Sequence, residues 1–374
     1  MPAPDPLDEY PIHQAAVSMR QPATSDRNFY DRCIMHCFSP DGSVLLMTGV
    51  GVYPNLGVMD AYATIRRGMT QVSVRASDPI GSDRLAQAVG PIRIEVLEPL
   101  RRLRAICEAP ERGLAFDLTY GATAEALEEP LHIMRSGSRV ILEGRRFVQL
   151  GTWQGSITME GEDIAVTAGE WLGDRDRSWG IRPVGEAEPA GRTLRHPDAG
   201  IWWVWAPLHL PRSGLMVVAQ EEMEGRRSLN QAVRFGSLGA GGSEEQLGWP
   251  RFEITYRPGS RHPERALVRM ARPDGTPVEA EIVPVNGISL NIGCGYGADP
   301  EWTHGQWKGE GWVDSSVYDL ADPEVAGRSA FSLIDHVAKV RVGDEEGMGI
   351  FEHGCLGRHD PSGFAGWESM EAVL

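Results

Sequence analysis

The sequence predicts an all-β protein made of antiparallel sandwiches or barrels. Many short runs alternate apolar and polar residues and end at Gly, Pro or Asp, which is the pattern of antiparallel strands joined by turns. The 44 glycines and 26 prolines among 374 residues suit a chain with many turns. Stretches with helical periodicity are scarce. Together these observations favour a β-sandwich or β-barrel architecture.

The predicted strands can be followed along the chain. Residues 103–120 form two alternating runs around Ala-Pro-Glu-Arg-Gly, and residues 156–166 form two around Glu-Gly-Glu-Asp. In the second half, the same arrangement recurs at 252–256, 266–285 and 288–297. Each pair of runs is typical of a hairpin.

Only two stretches suggest a helix. Residues 82–90 predict one short helix, with Ser82 or Asp83 as its N-cap. Residues 322–340 fit either a helix or a strand. The few helices expected are therefore short.

A polar run rich in Pro and Gly at 184–200 predicts a linker. We therefore expect two domains, at 20–185 and 198–374, of which each is long enough for a barrel of short strands. The Gly-rich residues 236–246 suggest a flexible loop inside the second domain. No internal sequence repeat relates the two halves.

Charge and composition limit the partners. The net charge of −16 and the lack of a Lys/Arg-rich block argue against nucleic-acid binding. No segment approaches the roughly 18–20 apolar residues of a membrane span, and the first residues do not resemble a secretory signal. The five scattered cysteines fit reduced thiols. We expect a soluble, cytoplasmic protein, and the sequence leaves its oligomeric state open.

No motif indicates a metal or a cofactor. The motifs GxxxxGK[ST], HExxH and CxxC are absent, and residues 293–298 (GCGYGA) lack the third glycine of a dinucleotide fingerprint. On a strand, Cys33 and Cys37 would share a face about 13 Å apart while His36 points the other way. These three residues could not converge on one zinc ion.

The segment GDRDRSWGIRP (173–183) is the strongest candidate site. Asp174 and Asp176 would share one face of a strand, with arginines on the other. Two neighbouring carboxylates can have their pKa values driven apart, so that one becomes a general acid. Trp179 would exclude water. The alternative is a structural salt-bridge network at the junction of the domains.

Other candidates lie in the second half. The run IWWVWAPLHL sets Trp203 and Trp205 on one strand face, where they could form core or line an apolar cavity. Near the C-terminus, Glu352 could be a second acid or base and His353 could position water, unless they belong to a surface hairpin. Weaker candidates for ligand contact are Tyr53, Asn55 and Tyr318.

Residues 147–183 resemble the carotenoid 1,2-hydratase (hydroxyneurosporene synthase)-like and AttH-like proteins, whose pattern Asp-x-Ser-Trp-Gly they share. Residues 38–63 and 347–354 give weaker support. The resemblance implies two lipocalin-like β-barrels in tandem around an apolar ligand space. It also implies that Asp176 is the proton donor. The family often has Tyr at the position of Asp174.

These observations predict an acid–base enzyme, a hydratase/dehydratase or cyclase-like lyase, acting on a hydrophobic isoprenoid- or terpenoid-like molecule. Its catalytic carboxyls would be Asp176, Asp174 and Glu352, and no cofactor would be needed. The competing interpretations are a non-catalytic lipocalin-like carrier and a pericyclase-type (Diels–Alderase-like) template. Whether Asp176 faces a cavity or the arginines separates the enzyme from the carrier. The residues predicted to contact the ligand are Trp179, Trp203, Trp205, Tyr53, Asn55, Tyr318 and His353.

Overall fold

The computed structural model describes residues 6–188, 198–239, 244–297 and 299–372. Nearly all of its regular structure is strand, arranged in two antiparallel sheets. The all-β prediction is confirmed. Part of the predicted linker, 189–197, and part of the Gly-rich loop, 240–243, lie outside the described residues.

The first sheet contains every strand described before the linker. Neighbouring strands are ordered β4-β3-β2-β1-β12-β11-β8-β7-β6-β5, and β9 and β10 also pair with β11. The strands are β1 (Phe29–Phe38), β2 (Val44–Tyr53), β3 (Val58–Arg67), β4 (Thr70–Pro79), β5 (Ala88–Val89), β6 (Ile92–Glu98), β7 (Arg102–Ala109), β8 (Leu114–Ala122), β9 (Leu127–Glu128), β10 (His132–Ser136), β11 (Arg139–Met159) and β12 (Glu162–Ile181).

The second sheet follows the linker, in the order β16-β15-β14-β13-β22-β21-β19-β18-β17. Its strands are β13 (Ile201–Leu210), β14 (Ser213–Glu221), β15 (Arg227–Gly236), β16 (Glu244–Gln246), β17 (Arg251–Tyr256), β18 (Pro263–Ala271), β19 (Pro277–Ser289), β21 (Ile334–Val342) and β22 (Glu345–Leu356).

One strand of the second half joins the first sheet. Strand β20 (Trp312–Asp319) pairs antiparallel with β4 along its whole length, so that Asp314 lies opposite Arg75. The first sheet is therefore completed by a strand that follows its other members by more than a hundred residues. Sequence alternation within a strand does not report which sheet the strand joins.

Within the described residues, helix is confined to short pieces. Helix α1 (Pro323–Arg328) begins at Asp322, whose side chain accepts a hydrogen bond from the Glu324 amide. The ambiguous stretch 322–340 thus holds both a helix and strand β21. The helix predicted at 82–90 is wrong, because Asp83 accepts a hydrogen bond from the Leu85 amide in a turn that leads into β5. Three 3₁₀ turns lie at Pro6–Glu9, Pro110–Arg112 and Asp360–Ser362.

The alternating side chains of β1 separate two apolar cores. Cys33, Met35 and Cys37 are buried in the core enclosed by the first sheet. Ile34 belongs to a second core, which also contains Trp203 of the other sheet. Since side chains alternate along a strand, His36 lies on the same face as Ile34, between the sheets.

No group of three His, Cys, Asp or Glu side chains among the described residues is arranged to hold a metal ion. None of the helices within those residues is long and apolar enough to cross a membrane.

Candidate functional site

A cavity of about 150 Å³ opens in the layer between the two sheets. The first sheet contributes Asp176 from β12, and the second sheet contributes Asp335 from β21 and Glu352 from β22. Asp335 and Glu352 are directly opposite each other in their strand pair. The packing of the sheets thus brings together three carboxyl groups that are far apart in the sequence.

Asp176 faces both the cavity and an arginine. Its Oδ2 lies 3.8 Å from Arg146 Nε, which is too long for a hydrogen bond. Its Oδ1 is buried without a hydrogen-bond partner among the described residues. Burial raises the pKa of Asp176 to about 6, and the charge of Arg146 opposes that rise. Asp176 is therefore a cavity carboxyl that titrates close to neutral pH.

The pKa of Glu352 is raised further than that of Asp176. Burial is the main cause, the neighbouring charge of Asp335 adds to it and Arg146 opposes it, so that the pKa of Glu352 rises to about 8. At neutral pH this carboxyl therefore keeps its proton. The cavity presents a protonated Glu352 together with a mostly ionised Asp176.

A buried chain of three groups lies beside these carboxyls. His36 Nδ1 is 2.9 Å from Asp174 Oδ1, and His36 Nε2 is 3.0 Å from Asp335 Oδ2. Burial would lower the pKa of His36, but the charges and hydrogen bonds of Asp174 and then Asp335 raise it well above its ordinary value. The imidazolium is therefore held between two carboxylates.

The glycine of the GDRDRSW motif permits this pairing. Asp174 is opposite His36 in the β1–β12 register. A Cβ on the preceding residue, Gly173, would lie 1.9 Å from the His36 carbonyl oxygen. That oxygen also accepts a hydrogen bond from Trp153 Nε1 at 2.8 Å. A larger residue at position 173 would push β12 away from β1.

One wall of the cavity is aromatic and is fixed by Arg146. Its guanidinium donates to Glu129 at 2.8 Å and lies 5.4 Å from the ring centre of Trp203 and 5.8 Å from that of Trp205. Trp205 Nε1 donates to the same Glu129 carboxylate at 2.8 Å. His132 stacks on Trp203, with 5.6 Å between ring centres. These contacts hold both tryptophans in place.

Four residues predicted from the sequence line this cavity: Asp176, Glu352, Trp203 and Trp205. Asp174 is fully buried behind His36 and is not part of the wall. The predicted residues that lie away from the cavity are Trp179, His353, Tyr53, Asn55 and Tyr318.

Alternation of side chains explains why two of these residues, His353 and Trp179, lie away from the cavity. His353 follows Glu352, so its side chain points into the core of the second sheet, where its Nε2 lies 3.1 Å from Tyr256 Oη. Trp179 follows the cavity residue Ser178 and is 39% exposed. Neither residue contacts the cavity.

The other three residues that lie away from the cavity, Tyr53, Asn55 and Tyr318, are held by local hydrogen bonds. Tyr53 Oη donates to Asp60 at 3.1 Å, and Asn55 Nδ2 donates to the Thr24 and Asp26 carbonyls at 2.8 Å. Tyr318 Oη accepts from Arg75 at 3.3 Å, in a cluster away from the cavity. These side chains hold loops and strands together.

Several residues of the cavity wall are not among those predicted from the sequence. Asp335 left a signal, because it is an acidic residue inside the apolar run SLIDHVAKV. His36 was placed on the face opposite the cysteines, but nothing in the sequence paired it with Asp335. Arg32, Arg146 and Tyr296 also line the cavity, and their spacing along the chain offered no hint.

A protein-family comparison covers almost the whole chain. Residues 5–365 match a model described as "Family of unknown function (DUF8625)". The chain belongs to this family. No curated protein matches it. The DUF8625 family description itself assigns no activity.

Solved structures place this DUF8625 chain in a known fold. A candidate AttH (NE1406) from Nitrosomonas europaea matches with a TM-score of 0.57 and 14% identity, covering 90% of this chain and 95% of the other. Kievitone hydratase from Nectria haematococca matches with a TM-score of 0.51 and 14% identity, covering 87% and 88%. The AttH-like fold predicted from the sequence is confirmed.

Proposed function

We propose that the cavity is the active site of a hydratase or dehydratase that acts on a hydrophobic small molecule. The observation that carries the proposal is a pair of carboxyl groups, Glu352 and Asp176, with different pKa values on one partly apolar cavity. Such a pair can supply a general acid and a general base at the same pH. The shared fold with kievitone hydratase supports this reaction class.

In the hydration direction, Glu352 donates its proton to one carbon of a double bond. A water molecule attacks the other carbon, and Asp176 accepts the proton that this water loses. The product has gained one water, and the two carboxyls return to their starting states by exchanging a proton through solvent. These roles differ from the sequence-based prediction, in which Asp176 was the donor, because Glu352 has the higher pKa.

The substrate is a molecule with an apolar body and one reactive double bond, as isoprenoids and polyketides have. Trp203 and Trp205 supply flat apolar surface, and Leu290 and Leu333 complete it. The volume of about 150 Å³ matches one ring or one branched segment. A longer molecule would extend out of the opening.

The test starts with the ligand itself. Small molecules that co-purify with the protein are extracted, identified by mass spectrometry and incubated again with fresh protein. We expect a gain or loss of one water. Glu352→Gln should slow that conversion by about 10²–10⁴-fold, and Asp176→Asn should slow it to a similar degree.

Glu346→Gln is the matched control, because Glu346 is exposed on the same strand. It should leave turnover unchanged. A ligand recovered unaltered would favour a carrier. A ligand rearranged without change of mass, at equal rates in both cavity variants, would favour a pericyclase-type template. Full hydratase turnover in Glu352→Gln would contradict the assigned donor.

A further inference from the structure

Among the described residues, two of the arginines that line the cavity have no carboxylate partner within 4.0 Å. Arg145 pairs with Glu128 at 3.3 Å, and Arg146 pairs with Glu129 at 2.6 Å. In contrast, no carboxylate oxygen of a described residue lies within 4.0 Å of the Arg32 or Arg182 guanidinium. Both arginines line the cavity and also the larger cleft that adjoins it.

Of these two arginines, Arg32 has the higher cost of burial. It is only 3% exposed, and its Nη2 donates to Tyr296 Oη at 3.0 Å. Its Nε and Nη1 are buried and have no acceptor among the described residues. A buried guanidinium whose N–H groups lack acceptors is costly, since each lost hydration contact is not replaced.

The aromatic rings around Arg32 fix its orientation. The guanidinium carbon lies 5.5 Å from the ring centre of Tyr30 and 5.0 Å from that of Tyr296. Arg182 approaches the same two rings, at 5.6 and 5.4 Å. Two cations therefore share one aromatic wall, which orients both guanidinium groups.

The remaining charges of the cavity are already engaged. His36 is held by Asp174 and Asp335, and Arg146 by Glu129, with Asp176 3.8 Å away. Arg32 and Arg182 are therefore the cavity cations that have no carboxylate partner among the described residues.

We propose that Arg32 and Arg182 hold a negatively charged oxygen of the ligand, a carboxylate or an enolate. This inference rests on the proposed function only for the reaction and not for binding. If the double bond is conjugated to a carbonyl, water adds to the β-carbon and the electron pair moves to the carbonyl oxygen, which Arg32 stabilises as an enolate. Glu352 then protonates the α-carbon, while Asp176 has taken the proton from water.

The test measures binding of small probes to the whole chain by calorimetry. Benzoate and benzamide have nearly the same shape and differ in charge, and both are near the size of the cavity. We expect benzoate to bind at least about tenfold more tightly, as a charge-assisted hydrogen bond would give. A second pair, ionised 4-nitrophenol and 4-nitroanisole, distinguishes an enolate-like oxygen from a carboxylate.

Arg32→Gln should bring benzoate close to the affinity of benzamide, and Arg182→Gln should reduce the preference by a smaller factor. The control is Arg104→Gln, since Arg104 pairs with Asp117 outside the cavity. It should leave the preference unchanged. The wild-type comparison of the charged and neutral probes stands even if Arg32→Gln does not fold.

Three results would overturn the inference: neither anionic probe binding in preference to its neutral counterpart, no detectable binding of either anion, or an unchanged preference in a folded Arg32→Gln variant. The anion preference should survive in Glu352→Gln, where the proposed function predicts loss of turnover. Failure of the acid–base mechanism and failure of the anion site therefore give different results.

Discussion

Arg32 and Arg75 are both buried arginines, and they differ in how completely the protein satisfies them. Arg75 on β4 is fully buried and donates to Asp314 at 3.0 Å and Ser316 at 2.7 Å, and it also pairs with Glu301. Arg32 donates to Tyr296, and its Nε and Nη1 have no acceptor among the described residues. The carboxylate partners of Arg75 fasten β20 to β4, whereas no carboxylate oxygen of a described residue lies within 4.0 Å of Arg32.

The largest expected effect is at Arg75. Substitution Arg75→Met removes the common partner of Glu301 and Asp314, so the free energy of unfolding should fall by about 3 kcal/mol. Urea denaturation at neutral pH measures the change. In the same assay Arg32→Met should change the stability by less than about 1 kcal/mol, because it removes a buried charge that has no ion pair among the described residues. Equal losses would abolish the distinction between the two arginines.

The pH dependence of stability should also distinguish the cavity residue Glu352 from Glu301, which pairs with Arg75. The raised pKa of Glu352 means that its stabilising contribution is complete below the pKa of the unfolded chain and is lost as the pH rises to about 8. Glu352→Gln should therefore be nearly as stable as wild type at pH ~4 and increasingly more stable than wild type as the pH rises towards ~8. Thermal unfolding across this range measures the difference.

At Glu301, the dependence of stability on pH is expected to have the opposite sign. Burial would raise the pKa of Glu301, but hydrogen bonds from Tyr318 and Arg75 bring it below its ordinary value. Its contribution is present above the unfolded pKa and is lost as the pH falls, so Glu301→Gln should destabilise the protein at neutral pH. If Glu301→Gln and Glu352→Gln shift stability in the same direction at neutral pH, the surroundings of these two glutamates do not have opposite effects on their pKa values.

A smaller, local effect is expected at Asp174. Substitution Asp174→Asn keeps an acceptor for His36 but removes a charge, so the pKa of His36 should fall towards its ordinary value. An NMR titration of the His36 ring measures it. Asp163→Asn, an exposed change on the same strand, should leave that titration unaltered.

The smallest effect on stability and binding is expected at Trp179, which lies outside the cavity and makes no ion pair with Arg75. Because it is 39% exposed and outside the cavity, Trp179→Ala should cost less than about 1 kcal/mol and leave benzoate binding unchanged. Calorimetry on the variant checks both quantities. A loss of binding would restore the ligand role predicted from the sequence motif.

The sequence supported the fold better than the site. Alternation and turn residues report local strand structure, so the hairpins at 103–120 and 156–166 could be predicted. The helix at 82–90 failed because a short apolar pattern does not exclude a turn stabilised by Asp83. The position of β20 depends on pairing across the chain, which local patterns do not encode.

For the site, the motif around Asp176 and the tryptophans of β13 identified one part of the cavity wall. The partners could not be predicted, because His36, Asp335 and Arg146 are brought together by the packing of two sheets. Residues next to true wall residues, such as His353 beside Glu352, were included since proximity in sequence does not fix the face of a strand.

The pairing of β20 with β4 also constrains the order in which the protein can be built. During synthesis the free edge of β4 stays unpaired until residue 319 has left the ribosome, long after the rest of the first sheet is available. Unpaired edges are sites of aggregation. A circular permutant that moves β20 in front of β1 would close that edge early, whereas a fragment ending at the linker would leave it open permanently.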